Sequence, residues 1–106
     1  MDEALYEVSF QIILHAGNSK SKSMLSMKAA REKDYEKAQH LIDEAIQELH
    51  QAHLVQTEMI QNEAAGEKTE MNLILVHAQD HIGMATVLSD VAQELLYVYQ
   101  NTQRVD

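Results

Sequence analysis

The chain contains no proline and only three glycines in 106 residues, so very little in it interrupts a helix. Proline removes a backbone donor and glycine lowers helix propensity, which makes both residues common at helix ends. The remaining breaks fall at residues 31–34 and 64–69, and they divide the chain into three long stretches with helical periodicity. The sequence therefore predicts an all-α fold of three helices, in a single domain over residues 1–106.

Each break carries residues that begin or end helices. At the first break we expect Asp34 to be the N-cap of the second helix, because its carboxylate can accept a hydrogen bond from a free backbone N–H. At the second break Gly66 is the expected C-terminal cap of the second helix, and Thr69 the N-cap of the third. Because both connections are short, the predicted architecture is an antiparallel up-down-up three-helix bundle.

Charge and composition exclude several classes of function. Eight Lys and Arg residues stand against seventeen Asp and Glu residues, a formal net charge of -9. This balance repels nucleic acid and favours basic partners, so we expect no nucleic-acid binding. The absence of cysteine excludes disulfides and a thiol nucleophile. No apolar run is long enough to span a membrane and no signal peptide is evident, so we expect a soluble, cytoplasmic protein.

Apolar residues are distributed differently on the first and third helices. The first helix carries a stripe from Tyr6 to Met24, and Gly17 and Ser21 on the same face permit close approach of a neighbour. On the third helix the apolar residues form an arc of about half the circumference, which is wider than packing in a bundle needs. The arc comprises Leu73, Ile74, Val76, Ala78, Met84, Ala85, Val87, Leu88, Val91, Ala92, Leu95, Leu96, Val98 and Tyr99. Its width predicts a homo-oligomer built around this helix.

Three ionisable residues interrupt this apolar arc. His77, Asp80 and His81 have the spacing i, i+3 and i+4, which places them within one helical turn. A buried carboxylate needs a partner, and near a symmetry axis Asp80 could share a metal ion with its copies. The pattern His-x-x-Asp-His is also similar to an inverted zincin motif, but such hydrolases need a third ligand and a larger chain. A di-iron bundle site is excluded because the sequence has no Glu-x-x-His pair.

A histidine nucleophile is the other chemistry available to this segment. Neutral imidazole can accept a phosphoryl group on one nitrogen while the other nitrogen keeps its proton. Such a carrier needs no deep cleft, only an exposed ring on a rigid helix and nearby donors for the phosphoryl oxygens. Gln79 is a candidate donor. The alternative is a non-catalytic adaptor, whose apolar arc on the third helix binds another helical protein.

Four stretches of the sequence resemble the lactose/cellobiose family of phosphotransferase-system (PTS) enzyme IIA components. They are residues 12–17 (IILHAG), 52–57 (AHLVQT), 66–68 (GEK) and 75–81 (LVHAQDH). The resemblance spans nearly the whole chain, and the last stretch is the most specific. One departure is that the family's usual Gly-Asp-Phe before the second helix reads Lys-Asp-Tyr at residues 33–35 here.

The resemblance implies a cytoplasmic trimer of three-helix subunits. His77 would accept a phosphoryl group from the phosphocarrier HPr and pass it to the cognate IIB protein or domain, for uptake of a β-glucoside-type disaccharide through a membrane IIC permease. Asp80 would face the trimer axis, where three copies share one magnesium ion. His81 would support the active ring. The roles of His53 and Gln56, which lie on the second helix, stay open.

Overall fold

A computed structural model of the protein describes residues 3–102 and confirms the three predicted helices. The helices are α1 (Glu3–Arg31), α2 (Tyr35–Ala64) and α3 (Leu73–Asn101), and residues 3–102 contain no strand. Helix α1 packs along both other helices, whereas α2 and α3 share a much smaller contact. None of the three helices has the combination of length and apolar character that a bilayer crossing requires.

Two hydrogen bonds from α1 serines define the direction of α2. The hydroxyl of Ser19 donates to the carbonyl of Ala45, and the hydroxyl of Ser26 donates to the carbonyl of Ala38, both at 2.8 Å. Residue numbers rise along α1 as they fall along α2, so the two helices are antiparallel. The up-down-up prediction is therefore correct for this pair.

The buried face of α1 is made mainly of small residues, together with Ile12, rather than of its apolar stripe. Phe10, Leu14 and Met24 are each more than half exposed, at 55%, 58% and 57%, and Ser21 is exposed as well. The residues that pack inward are Ser9, Ile12, Ala16, Ser19, Ser23, Ser26, Ala29 and Ala30. Serine and alanine allow two helix backbones to approach closely, so the close contact expected at Ser21 occurs on the opposite face.

The C-terminal ends of α1 and α2 have the same hydrogen-bond pattern. After α2, the N–H of Gly66 donates to the carbonyl of Glu63 and the N–H of Glu67 donates to that of Asn62, which is a Schellman motif. Gly66 has a φ of +99°, a left-handed conformation that favours glycine, so its predicted capping role is confirmed. After α1 the equivalent left-handed residue is Lys33, with a φ of +66°.

The N-caps agree with the sequence at one helix and not at the other. The carboxylate of Asp34 accepts from the N–H of Lys37 at 3.3 Å, as predicted. The prediction for Thr69 is wrong, because α3 begins later and its N-cap is Asn72, whose side-chain oxygen accepts from the N–H of Leu75 at 2.9 Å. Both residue types cap helices well, so the local sequence did not distinguish them.

A small core lies directly beneath residues 77–81. Ala78 and Ile82 of α3 are buried against residues from the other two helices. The buried members of this cluster are Ile12, Ala16, Ala52, Ala78, Ile82 and Ala85. Because Ala78 and Ile82 face inward, positions 77, 80 and 81 face the surface or the contact with α1. The core beneath them holds this segment of α3 in place.

Candidate functional site

His77 and His81 form a contacting pair on the surface of α3. The two Nε2 atoms are 3.0 Å apart, the ring centroids are 4.4 Å apart, and the ring planes are nearly perpendicular at 88°. The contact follows from the i, i+4 spacing, which stacks side chains on one helix face. His77 is exposed, whereas His81 is partly buried. The His77 ring is therefore the more accessible of the two.

Lys20 of α1 reaches the other nitrogen of His81. Its Nζ atom lies 2.8 Å from Nδ1 of His81. A lysine ammonium group has donors only, so Nδ1 of His81 must be the acceptor, and the single proton of the neutral ring is on Nε2. That proton is directed at Nε2 of His77, which accepts it with its lone pair. Lys20 thus donates a hydrogen bond to His81, and His81 donates one to His77.

The surroundings of His81 keep this ring neutral. Burial lowers the pKa of His81 below its ordinary value, and the nearby charge of Lys20 lowers it further. His77 acts in the same direction, whereas Asp80 raises the pKa and opposes the other three effects. The net result is a lowered pKa, which agrees with the hydrogen bond because a protonated ring has no acceptor to offer Lys20.

Gln79 is held from α2. The side-chain amide of Gln56 donates to Oε1 of Gln79 through a short hydrogen bond. With its oxygen occupied, Gln79 has its own amide N–H group left to donate, and no acceptor for it is found among residues 3–102. This contact answers the question that the sequence left open for Gln56, because its partner lies across the bundle and orients a neighbour of His77.

Asp80 lies at one end of an apolar groove on the outer surface of α3. It is exposed, and the groove continues along Met84, Val87 and Val91, which are 45%, 63% and 42% exposed. Lys20 lines the same groove. The part of the predicted arc that faces away from the bundle is therefore uncovered in the single chain. Residues 3–102 contain no group of three metal-ligating side chains.

His53 of α2 also contacts α3. Nε2 of His53 lies 3.3 Å from Oγ1 of Thr86, a contact that joins α2 to α3. His53 therefore has a partner within the bundle.

Lys20 is the site residue that the sequence did not reveal. A lysine in a serine-rich helical segment is typical of a solvated face, and no local signal connects it to a histidine on another helix.

Comparison with known proteins identifies the family. Residues 7–100 match the family model described as PTS system, lactose/cellobiose specific IIA subunit. The chain is 48% identical over 100 residues to the lichenan-specific phosphotransferase enzyme IIA component of Bacillus subtilis (strain 168), and the match covers 94% of this chain and 91% of that relative.

Solved structures agree with the family match. The crystal structure of the PTS cellobiose-specific enzyme IIA from Bacillus anthracis is similar with a TM-score of 0.90 and 36% identity, over 94% of this chain and 92% of that one. The IIA(chitobiose)–HPr complex of the Escherichia coli phosphotransferase system contains a chain that is similar with a TM-score of 0.79 and 31% identity, over 94% and 96% of the two chains. The protein described here therefore belongs to the lactose/cellobiose-specific family of PTS enzyme IIA components, which are phosphotransferase components that carry phosphoryl groups between proteins.

Proposed function

We propose that this protein accepts a phosphoryl group from phospho-HPr on His77 and passes it to the cognate IIB protein or domain. The observation that carries the proposal is the neutral His77–His81 pair, in which Nε2 of an exposed ring keeps a lone pair. An unprotonated imidazole nitrogen is the nucleophilic form, and the lone pair of His77 becomes available to phosphorus when its hydrogen bond from His81 breaks. A IIA relative has been solved in complex with HPr, which supports the same donor for this chain.

The transfer needs no proton to leave the protein. The Nε2 lone pair of His77 forms a new bond to phosphorus, while the bond between phosphorus and the donor breaks and its electron pair stays on the donor. His77 keeps the proton on Nδ1 throughout. The onward transfer to IIB reverses these roles, with Nε2 as the leaving atom.

Two neighbours of His77 serve the phosphoryl oxygens. Once Nε2 of His77 is bound to phosphorus, the Nε2–H of His81 loses its acceptor and can donate to a phosphoryl oxygen instead. The amide N–H group of Gln79, whose oxygen is occupied by Gln56, is a second donor. Oriented N–H donors stabilise the charge of a transferring phosphoryl group.

The exposed groove of α3 supports assembly with further copies of the chain, and the family resemblance implies three of them. Apolar side chains uncovered over several turns favour burial against a copy of the chain. A three-fold axis along this face would bring three Asp80 carboxylates together in apolar surroundings. Oxygen ligands of this kind suit Mg²⁺, which would neutralise the repulsion between them and hold the subunits. We therefore propose a homotrimer with one structural magnesium ion bound by Asp80.

The sugar class follows from the relatives. The two most informative names are lichenan and cellobiose, both of which contain β-linked glucose. We propose that the protein acts in the cytoplasm, in the uptake of a β-glucoside-type disaccharide. It works together with a membrane IIC permease, which selects the sugar. The single-domain prediction over residues 1–106 stays part of this proposal.

A phosphorylation assay tests the assignment. The purified chain is incubated with phosphoenolpyruvate, enzyme I and HPr, and intact-mass spectrometry follows the addition of one phosphoryl group per chain. We expect labelling that is labile to acid and stable to base, and no labelling of His77→Gln. His53→Gln is the matched control and should be labelled like the wild type. An unlabelled wild type, or a labelled His77→Gln, would overturn the proposal and favour the adaptor function.

A further inference from the structure

We propose that Lys20 is a positioning residue for the phosphoryl site, because its ammonium group determines which nitrogen of both His81 and His77 carries the proton. The inference rests on the proposed function of His77 and assigns a role to a residue of a different helix. Lys20 does not touch the reacting atoms, and its effect passes through His81.

The first step of the argument is the placement of Lys20. Its ammonium group is 2.8 Å from Nδ1 of His81, and it forms no ion pair with any carboxylate of residues 3–102. Lys22, two positions along α1, instead pairs with Glu44 of α2 at 3.1 Å. An acid, Asp80, lines the same groove as Lys20. Lys20 is nevertheless directed at an imidazole nitrogen, although the chain has seventeen Asp and Glu residues.

The second step is that the two rings must have matching tautomers. A neutral imidazole offers one donor and one acceptor. With Lys20 donating to Nδ1, His81 donates from Nε2, and Nε2 of His77 accepts. If the proton of His81 moved to Nδ1, its Nε2 would become an acceptor facing His77. The same 3.0 Å contact would then require a proton on Nε2 of His77, and the nucleophilic lone pair would be lost.

The third step concerns charge. An incoming phosphoryl group carries negative charge, and Lys20 places a positive charge behind His81 on the side away from His77. This arrangement polarises the Nε2–H bond of His81 toward the phosphoryl oxygens. Removing Lys20 would thus have two effects. Nε2 of His77 would be unprotonated in fewer molecules, and the Nε2–H group of His81 would be a weaker donor to the phosphoryl oxygens.

Nuclear magnetic resonance measures the tautomers directly. Long-range ¹H–¹⁵N correlation spectra of the imidazole rings, at about pH 8 and so above the ordinary histidine pKa of about 6.5, distinguish protonated from unprotonated nitrogens. We expect the wild type to have protons on Nε2 of His81 and on Nδ1 of His77. Lys20→Met should show mixed tautomers at both rings. Lys22→Met, the matched control on the same helix, should keep the wild-type pattern.

Phosphorylation rates provide the second readout. Lys20→Met should accept phosphoryl from phospho-HPr about tenfold more slowly, at the lower end of the effect of losing an orienting partner. Lys20→Arg, which also has donors only, should retain the tautomers and most of the rate. Should Lys20→Met fail to fold, Lys20→Ala removes the same ammonium group and carries the same comparison.

The outcomes separate the two proposals. Wild-type tautomers in Lys20→Met would overturn the positioning role whatever the rate, and so would altered tautomers with an unchanged rate. Loss of rate in Lys20→Arg with unaltered tautomers would also contradict it. The tautomers are measured without HPr, so they do not depend on phosphorylation. A wild type that cannot be phosphorylated would overturn the proposed function of His77. The spectra would still show whether Lys20 determines the tautomers of the two rings.

Discussion

Gln56 of α2 donates its side-chain N–H to the side-chain oxygen of Gln79 on α3, which leaves the Gln79 amide with N–H groups to donate. The direction of this bond has a consequence for phosphoryl transfer. A carboxylate at position 56 would accept from Gln79 rather than donate to it, and the Gln79 amide would then turn its oxygen outward.

Gln56→Glu should therefore slow the phosphorylation of His77 clearly, while it lowers the free energy of unfolding only slightly. We expect a loss of about tenfold or more in rate, because an outward oxygen repels the phosphoryl group where a donor would stabilise it. The matched control is Gln51→Glu, which adds the same charge at an exposed position of α2. Initial rates from phospho-HPr and urea unfolding curves measure the two effects. Equal rates in both variants would show that Gln79 does not serve the phosphoryl group.

The pKa of His81 should be measurably below that of an unperturbed histidine. Burial and the charge of Lys20 lower it, so His81 should titrate below about pH 6.5 in the folded protein. The unfolded chain then binds a proton at this position before the folded chain does, and the contribution of His81 to stability falls as the pH drops below that value.

An NMR titration of the His81 ring measures this directly. Lys20→Met should move the midpoint upward, because the positive charge is removed. Lys22→Met should not. A midpoint at or above the ordinary value in the wild type would contradict the arrangement of charges around His81.

Two buried serines of α1 should respond oppositely to replacement by alanine. The hydroxyl of Ser23 has no hydrogen-bond partner within residues 3–102, whereas that of Ser26 donates to the carbonyl of Ala38. Ser23→Ala removes an unpaired buried group and should leave the free energy of unfolding unchanged or raise it by up to about 1 kcal/mol. Ser26→Ala should lower it by about 1 kcal/mol. Denaturant unfolding of both variants, at one protein concentration, provides the comparison, and the reverse order would contradict it.

Lys33→Gly should stabilise the turn between α1 and α2. Lys33 has a φ of +66°, which costs a residue with a side chain about 1 kcal/mol and glycine almost nothing. We expect a gain of about 0.5–1 kcal/mol in the free energy of unfolding. Lys28→Gly makes the same change at an exposed position inside the last turns of α1 and should destabilise by about 1 kcal/mol. A loss of stability in Lys33→Gly would show that the turn does not hold this conformation.

Asp80→Leu tests the proposed metal at the trimer axis. Replacing a cluster of carboxylates by apolar side chains should give a trimer that is at least as stable as the wild type and independent of divalent cations. Sedimentation and thermal melting, each with and without a chelator, measure both properties. A wild type that ignores the chelator, together with a destabilised Asp80→Leu, would contradict the axial role.

Features carried by local sequence were predictable. The three helices and the cap at Gly66 follow from patterns within a few residues, and so does the closeness of His77 to His81. The packing face of α1 was not predictable in this way, because Phe10 and Leu14 are more apolar than the serines that replace them at the contact. Pairs such as Lys20 with His81 depend on the register between helices, which short-range patterns do not encode.

All three helices contribute to the arrangement at His77: Lys20 comes from α1 and Gln56 from α2, whereas His77, Gln79 and His81 come from α3. Apart from Ile12, the inward face of α1 consists of serine and alanine, so after a slip of one turn, about 5.4 Å, most of this face would still present small residues. Such a slip would nevertheless separate Lys20 from His81. The rate of phosphoryl transfer therefore depends on the register between the helices. A subunit that folds in the wrong register would not transfer phosphoryl groups.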